Sequence, residues 1–306
     1  MENMSRVGLV LSGGGGKGAY QIGVLKALKE NGYLDDITDI SGASIGSVNA
    51  MLYAMDNIDI MYAAWNDIDM RTVFDLDLAK LKIDSLYFSR EEMLKLVEKY
   101  IDFQKILGGR YNIYCSICKV LEKQNYEVFY KRLADYDIET IKKILLASTA
   151  LPIVYEAVEI EGAYYRDGGI CDNEPIKPLY DSGVRQFIII GLNHNKVFDA
   201  SKWPDASFIT IYPSKDLGSL IDGTLNFTER AIEFRQMLGY KDGLRAINTK
   251  FKKEDIYINL ESALSENDYN EIKMQLRANT VYKSAEASIN KNLDKFNEIA
   301  AKYDKY

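Results

Sequence analysis

The sequence contains few of the residues that build disulfide frameworks, metal sites or histidine-based catalytic triads. It has three cysteines, one histidine and five prolines among 306 residues. An odd, small number of cysteines in a chain of this length is not a disulfide framework. Cys115 and Cys118 form a CxxC, but they lie in a strand-like run, and no second CxxC or histidine pair accompanies them. A metal or redox role is therefore a minor alternative, and we predict neither a metal nor a cofactor.

Long apolar runs and basic clusters are also absent from the sequence. The longest apolar runs, such as FIIIGL at 187–192, fall far short of the roughly 20 residues that a membrane span requires. The apolar stretch after Arg6 is too short for the core of a signal peptide. With 38 basic and 45 acidic residues, the formal net charge is −7, which argues against nucleic acid as a partner. We expect a cytoplasmic protein, and the sequence does not determine its oligomeric state.

The chain does contain a regular alternation of strand-like and helical segments. A short apolar run at 7–12 is followed by a helical pattern at 19–31. A second strand is predicted at 37–43, with a second helix at 45–55. Because alternating strands and helices pack as a mostly parallel sheet between helices, the prediction is a three-layer α/β/α fold.

The same pattern continues beyond these two units. Further helices are predicted at 90–101 and 138–148, and further strands at 111–121, 126–130, 157–160, 163–166, 186–192 and 208–212. No repeat, low-complexity linker or hinge interrupts the chain. We therefore predict one domain over 1–306, with the motifs in a core at about 5–215 and a mainly helical portion at about 216–306.

Three loops that follow strands have unusual compositions. They are the glycine loop GGGGKG at 13–18, GASIG at 42–46, and RDGG at 166–169. In open α/β sheets, ligands bind beyond the carboxyl ends of the strands. These loops are therefore the candidate site.

GASIG has the spacing of a nucleophile elbow. A serine at a sharp turn from strand to helix exposes its hydroxyl, and the strained backbone requires small residues two positions to either side. Gly42 and Gly46 meet that requirement around Ser44. The helix that follows also directs its first amides and the positive end of its dipole toward the serine. Ser44 is the candidate nucleophile.

A nucleophilic serine needs a proton acceptor, and two candidates are present. His194, the one histidine, follows the strand predicted at 186–192. Asp167 lies in the glycine-flanked turn RDGG, where a carboxylate can approach closely. An ordinary aspartate has a pKa of about 3.9, so Asp167 would be a weak base unless burial raises that value. A Ser–Asp pair therefore requires a partly dry site.

These motifs together resemble the patatin-like phospholipases, a family of acyl hydrolases with a Ser–Asp dyad. Residues 13–18 resemble the family's glycine-rich motif with its basic position at Lys17, and 42–46 its GxSxG. Residues 167–169 resemble its DGG or DGA turn. The stretch 147–176 is similar to the family's segment around that turn. The resemblance covers about 5–215.

The resemblance implies a chemistry and a set of roles. Ser44 attacks the carbonyl of an acyl ester, Asp167 takes its proton, and water hydrolyses the acyl-enzyme. The oxyanion hole is formed by backbone amides of Gly14, Gly15, Gly16 and Ile45. Supporting positions are Gly13, Lys17, Gly18, Gly42, Gly46, Gly168 and Gly169.

The implied function is lipid acyl hydrolysis of the phospholipase A or lysophospholipase type. The implied partner is a lipid or fatty acyl ester, reached through transient contact with a membrane surface. Acyl transfer on the same dyad and non-catalytic lipid binding stay open as alternatives. Lipid class and ester position stay open too. Apolar residues between 53 and 103, including Trp65, are either a cap over an acyl chain or ordinary core.

A dinucleotide-binding protein is the remote alternative. Gly13, Gly15 and Gly18 fit GxGxxG after a strand, and Asp39 lies about 20 residues further on. That interpretation leaves GASIG and RDGG unexplained. A Walker A loop is excluded because Lys17 is followed by glycine instead of serine or threonine.

Overall fold

The computed structural model describes residues 6–68, 90–122, 125–152 and 154–250. The chain divides into two compact units, Met1–Leu260 and Glu261–Tyr306, and all of the described residues belong to the first. The helical prediction beyond residue 250 lies outside the described residues. One domain over 1–306 stays a prediction.

A mixed sheet of eight strands forms the centre of the described structure. The strands β1 to β8 are, in chain order, Val7–Leu11, Ile37–Ala43, Asn112–Val120, Tyr126–Arg132, Val158–Ile160, Ala163–Asp167, Gln186–Ile190 and Ser207–Ile211. Their order across the sheet is β5-β6-β3-β2-β1-β7-β8, and β4 pairs with β3 outside that path.

The five strands β3, β2, β1, β7 and β8 run parallel to one another. Antiparallel pairing joins β4 and β6 to β3, and β5 to β6. The side chains of Leu9, Val10 and Leu11 in the central strand β1 are fully buried, as expected for a parallel strand covered on both faces. The predicted α/β fold with a mostly parallel sheet is confirmed.

Eight helices of the described chain flank this sheet. They are α1 Ala19–Glu30, α2 Ile45–Tyr53, α3 Ile58–Asp67, α4 Glu91–Tyr100, α5 Phe103–Gly108, α6 Ile138–Ser148, α7 Lys177–Asp181 and α8 Glu229–Lys250. None of the described helices is both long and apolar enough to cross a bilayer.

Helix α1 is buried along most of its length and packs against α8. The hydroxyl of Tyr20 donates to Asp242 Oδ2 at 3.1 Å, and that of Tyr240 donates to Glu30 Oε2 at 2.8 Å. Gln21 Nε2 donates to the carbonyls of Ser12 and of Ile190, the last residue of β7. The start of α1, directly after the glycine loop, is therefore joined both to α8 and to the sheet.

Candidate active site

The register of three strands brings the serine loop and the aspartate turn together. Strand β4 occupies one edge of β3 from Tyr114 to Val120. Strands β2 and β6 must therefore share the other edge, where Ala43 pairs with Ser116 and Asp167 pairs with Ile117. Because β2 runs parallel to β3 and β6 antiparallel, their carboxyl ends meet end to end. Residue 44, the first after β2, is thereby placed against the last residue of β6.

The backbone at Ser44 has the strained conformation of an elbow. Its φ of 53° and ψ of −125° lie in a region that residues other than glycine rarely adopt. A Cβ at Gly42 would lie 2.4 Å from the carbonyl carbon of Gly46, and a Cβ at Gly46 would lie 2.1 Å from the carbonyl oxygen of Leu11. Side chains at these two positions would force the turn apart. Both glycines are therefore required by close backbone contacts.

Ser44 and Asp167 form a direct hydrogen bond. Ser44 Oγ donates to Asp167 Oδ2 at 2.6 Å. The other carboxylate oxygen, Oδ1, accepts from the amide of Gly169 at 2.8 Å. The amide of Asp167 donates to the carbonyl of Ala150 at 3.1 Å. The carboxylate is thus oriented from both sides, and one oxygen is directed at the hydroxyl.

Burial makes Asp167 a stronger base than an exposed aspartate. The residue is 4% exposed, and this desolvation raises its pKa to about 6. Hydrogen bonds from Ser44 and Gly169 and the charge of Arg90 lower the pKa and only partly offset burial. At neutral pH the carboxylate is largely ionised and can accept a proton. The dry environment that a Ser–Asp pair requires is present in the structure.

The glycine loop presents backbone amides near this pair. A 3-10 turn, Gly15–Gly18, follows Gly14 directly, and the first amides of a helical turn have no acceptor within it. The amide of Ile45 is in the same position at the start of α2. In contrast, the amide of Ser44 donates to Ser148 Oγ at 3.1 Å. In the glycine loop, the amide of Gly13 donates to Asn173 Oδ1 and that of Lys17 donates to the carbonyl of Gly14. The amides of Gly14, Gly15 and Ile45, which line the same cavity as Ser44, are the donors that this arrangement offers to an anion. Gly16, predicted as a further donor, is not among the residues that line the cavity.

A second segment explains why two of these residues have no side chains. A Cβ at Gly15 would lie 2.2 Å from the carbonyl oxygen of Thr224, and a Cβ at Gly16 would lie 2.3 Å from that of Asn226. We call residues 220–227 the cover segment. The guanidinium of Arg235 holds it by donating to the carbonyls of Asp222, Gly223 and Asn226. This buried arginine was not identified from the sequence.

Asn173 connects the glycine loop to the segment that follows the aspartate turn. Its Oδ1 accepts from the amide of Gly13 at 3.1 Å, and its Nδ2 donates to the carbonyl of Gly13 at 3.2 Å. A Cβ at Gly169 would lie 2.6 Å from the same Oδ1. One amide side chain therefore fixes the distance between the two loops. In the sequence, Asn173 appeared only as part of the resemblance over 147–176.

His194 has a different partner from Ser44. Its Nδ1 lies 3.5 Å from Asp216 Oδ1, and both residues line the cavity that Ser44 also lines. The hydroxyl of Ser44 is directed at Asp167 instead. The geometry therefore favours the aspartate as the proton acceptor over the histidine.

Ser44 opens into a cavity of about 690 Å³, a size typical of sites for small ligands. We call it the Ser44 cavity. Its apolar lining residues include Val48, Ile68, Met93, Leu96, Val97, Leu151, Val154, Leu192, Leu225 and Phe227. Its polar lining residues include Lys17, Asn193, His194, Asn195 and Asp216. The cavity thus offers both kinds of surface that an amphipathic molecule requires.

The two interpretations of the apolar residues between 53 and 103 apply to different residues. Met93, Leu96 and Val97 of α4 line the Ser44 cavity. Trp65 is instead fully buried, stacks on Phe227 at 6.3 Å between ring centroids, and is core. The other members of this apolar and aromatic set, Phe74, Leu86, Tyr87 and Phe88, lie outside the described residues.

Lys17 lines the Ser44 cavity and is half-buried. Desolvation and the charge of Arg235 lower the pKa of its ammonium group, while the charges of Asp216 and Asp222 raise it. A Cβ at Gly223 would lie 2.5 Å from the Cε of Lys17, so the lysine stem passes under the cover segment. Among the described residues that line the cavity, Lys17 supplies the ammonium group.

The cysteines do not form the CxxC pair, and Asp39 is not placed as a dinucleotide site requires. Cys118 forms a disulfide with Cys171, with their Cα atoms 6.1 Å apart, and Cys115 is buried and free. This bond was not predicted, because it joins residues 53 positions apart instead of the CxxC pair. Asp39 is fully buried and pairs with Arg6 at 2.7 Å. Its carboxylate is therefore engaged and unavailable to a ribose.

Comparison with known proteins gives relatives over the motif-bearing region. An uncharacterized NTE family protein of Mycobacterium tuberculosis is 30% identical over 195 residues, covering 61% of this chain and 49% of the relative. The lysophospholipase NTE1 of Candida albicans is 28% identical over 191 residues, covering 60% of this chain and 13% of that protein. The chain thus spans about half the length of the first relative and a small part of the second.

A solved structure and a family model also match this chain. The effector ExoU of Pseudomonas aeruginosa, solved in complex with SpcU, is 17% identical, with a TM-score of 0.49 over 96% of this chain and 63% of its own. The model of the family described as Patatin-like phospholipase matches residues 9–180, which is more than half of the chain. The chain therefore belongs to the patatin-like phospholipase family.

Proposed function

We propose that this protein is a lipid acyl hydrolase of the phospholipase A or lysophospholipase type. Ser44 is the nucleophile and Asp167 the proton acceptor. The observation that carries the proposal is the 2.6 Å hydrogen bond from Ser44 Oγ to Asp167 Oδ2, at a strained elbow that opens into a cavity lined by apolar and polar residues. Membership of a phospholipase family and the lysophospholipase among its relatives support it.

In the first half of the reaction, the Ser44 oxygen bonds to the ester carbonyl carbon while its proton passes to Asp167. The carbonyl oxygen becomes an oxyanion, and the amides of Gly14, Gly15 and Ile45 stabilise it. Such donors are effective because they are fixed in place before the charge appears. The bond to the alcohol then breaks, and Asp167 returns the proton to that alcohol. An acyl-enzyme on Ser44 remains.

In the second half, water replaces the alcohol. Asp167 takes a proton from the water while the water oxygen bonds to the acyl carbonyl carbon. The same amides stabilise the second oxyanion. When the bond to Ser44 breaks, Asp167 returns the proton to the serine oxygen. A fatty acid leaves and the enzyme is restored, with no net change in either residue.

The lining of the Ser44 cavity contains groups suited to both ends of a lipid. Its apolar residues, which include Met93 and Leu151, suit a fatty acyl chain. Its polar residues, with Lys17, suit the glycerol and a phosphate-bearing head group. A lipid of this kind resides in membranes or micelles, so the protein contacts such a surface transiently.

The test is hydrolysis of p-nitrophenyl fatty esters and of lysophosphatidylcholine by substituted proteins. Ser44→Ala and Asp167→Asn should each reduce hydrolysis by about a thousandfold or more, since each removes half of the unit that activates the nucleophile. Ser207→Ala, at an exposed serine, is the matched control. His194→Ala should retain most of the activity, and a folded but inactive His194→Ala protein would restore a triad.

Product analysis separates hydrolysis from acyl transfer. Free fatty acid as the main product supports hydrolysis, whereas acylated alcohol in the presence of glycerol or a lysolipid supports transfer. A fluorophosphonate probe should label the wild-type protein at Ser44 and leave Ser44→Ala unlabelled. Absence of labelling in folded wild-type protein would contradict a nucleophilic role for this serine.

A further inference from the structure

Arg90 lies next to the Ser44 cavity without lining it. The residue immediately precedes α4, one turn before Met93, which lines the cavity. Its guanidinium contacts two residues of the cavity wall. Nη2 donates to Thr149 Oγ1, and the guanidinium carbon lies 4.6 Å from the centre of the Tyr155 ring. The Arg90 side chain is therefore held by two residues that line the cavity, on the side of them that faces away from it.

The segment that Arg90 clamps also holds Asp167. Thr149 directly precedes Ala150, and Tyr155 lies five residues after it. The carbonyl of Ala150 accepts from the amide of Asp167 at 3.1 Å. Arg166, the residue before Asp167, donates from Nη1 to the carbonyl of Tyr155 at 2.9 Å. Displacement of this segment would therefore move the last residue of β6. Arg90 thus contacts the segment whose backbone carbonyls bind Arg166 and Asp167, and it is linked to the carboxylate through that segment.

Arg90 also carries a charge that no ion pair neutralises within the described part of the chain. Its Nε and Nη1 atoms are buried and make no hydrogen bond there. Burial lowers its pKa to about 10, while Asp167 is the carboxylate that raises it, so the guanidinium is charged at neutral pH. A buried cation without a close counter-ion acts over a longer distance than one in a salt bridge.

Arg166 precedes Asp167 in β6, where neighbouring side chains point to opposite faces of the sheet, and it is not among the charges that shift the pKa of Asp167. The other groups around the aspartate turn are uncharged hydroxyls and a carboxylate. Hydroxyls come from the elbow, from β3 and from the end of α6, at Ser44, Ser116 and Ser148. Asp172, five residues beyond Asp167, accepts from the hydroxyl of Tyr130 at 2.7 Å. Among the described residues, Arg90 is the charged group that lowers the pKa of Asp167.

We propose that Arg90 is a positioning residue that keeps the Asp167 carboxylate ionised and oriented toward Ser44. The proposal rests on the proposed function, because it assigns to Arg90 an action on the proton acceptor of the dyad. It gives Arg90 two effects that separate experimentally. One is electrostatic and requires only a positive charge. The other is geometric and requires the planar guanidinium that both stacks on Tyr155 and donates to Thr149.

The experiment measures the rate of fluorophosphonate labelling of Ser44 as a function of pH. In the wild type, labelling should fall with an apparent pKa near 6 as Asp167 is protonated. Arg90→Met removes the charge, so the midpoint should move to higher pH. Because no hydrogen bond joins the two side chains, we expect roughly half a pH unit, less than the one to three of a direct ion pair.

Arg90→Lys separates the two effects. It should restore the wild-type midpoint while labelling more slowly at its plateau, because lysine supplies the charge without the planar fork. Arg90→Gln, which keeps a donor for Thr149, should show the shifted midpoint, and it replaces Arg90→Met if that protein does not fold. The matched control is Arg110→Met, since exposed Arg110 stacks on Tyr111 at the same 4.6 Å. Its midpoint should not move.

The outcomes distinguish this proposal from the proposed function. If wild-type protein is not labelled, or if its labelling has no acidic decline, the dyad itself is wrong. If wild type declines near pH 6 but folded Arg90→Met or Arg90→Gln declines at the same pH, the action of Arg90 on Asp167 is refuted while the dyad stands. An Arg90→Lys midpoint equal to that of Arg90→Met would refute the electrostatic effect as well.

Discussion

Replacement of Asp167 by asparagine should make the protein inactive and more stable at neutral pH. Asparagine has the shape of a protonated aspartic acid, so its Oδ1 can accept from Gly169 and its Nδ2 can donate to Ser44 Oγ. Asparagine can therefore make as many side-chain hydrogen bonds as Asp167 makes in the wild type. The substitution removes the ionised carboxylate, which is buried at 4% exposure. What changes is the cost of holding a charge in a dry site.

The size of this effect follows from the raised pKa of Asp167. The pKa is about 6 in the folded protein against an ordinary value of 3.8, a difference of about two units. Each unit corresponds to about 1.4 kcal/mol, so ionisation destabilises the folded state by about 3 kcal/mol above pH 6. The sign is opposite to that of a salt-bridged aspartate, because here the folded state binds the proton more tightly. The cost is absent below about pH 4 and develops between pH 4 and 6.

The assay is urea unfolding of wild type and Asp167→Asn between pH 4 and 8. At pH 7 the free energy of unfolding of Asp167→Asn should be higher by about 2–3 kcal/mol, and the difference should close toward pH 4. Asp205→Asn, at an exposed aspartate, should change it by less than about 0.5 kcal/mol at every pH. A destabilised Asp167→Asn at pH 7, or a difference that does not depend on pH, would refute the reasoning.

Two further predictions concern the glycine loop. Gly16→Ala should lower kcat/KM by about a hundredfold to a thousandfold, because its Cβ would lie 2.3 Å from the carbonyl oxygen of Asn226 and displace the loop amides. Gly108→Ala, where a Cβ meets nothing within 4 Å, is the control, and equal kinetics for both would contradict the prediction. Lys17→Met should raise KM for lysophosphatidylcholine by about tenfold and leave KM for a neutral p-nitrophenyl ester unchanged, as steady-state kinetics would show. An equal rise for both substrates would argue against a phosphate contact.

Local patterns were sufficient to predict the elements that carry the motifs. The buried strand β1, helix α1 and the turn at Ser44 each follow from a few neighbouring residues, namely an apolar run, a helical period and a glycine spacing. The helices α3, α5 and α7 were not predicted from the sequence. Helices α5 and α7, of six and five residues, are too short for a helical period to show in the sequence, and α7 has a proline at its second position. Helix α3 has ten residues, and its length does not explain why it was missed.

Long-range relations in the site could not be predicted in this way. The meeting of β2 and β6 on one edge of β3 depends on a pairing between residues 117 and 167. Arg235 reaches the cover segment from α8, and Arg90 reaches Thr149 from the start of α4. An isolated arginine in a sequence has no signature of its partners, because those partners are set by packing. The burial that raises the pKa of Asp167 is likewise a property of the fold alone.

The balance of charges is a physical reason for proposing an aspartate as the base in this buried site. In the proposed mechanism, Asp167 loses its negative charge when Ser44 attacks and the oxyanion gains one, so the net charge of the site does not change. A histidine in its place would create an ion pair from neutral groups, which a low-dielectric environment stabilises poorly without further donors. The transfer moves one negative charge from the carboxylate toward the glycine amides. A direct ion pair with Arg90 would hold that charge on Asp167 and make the carboxylate a weaker base. A cation that lies behind the cavity wall, as Arg90 does, leaves the carboxylate ionised at neutral pH and still able to accept the proton.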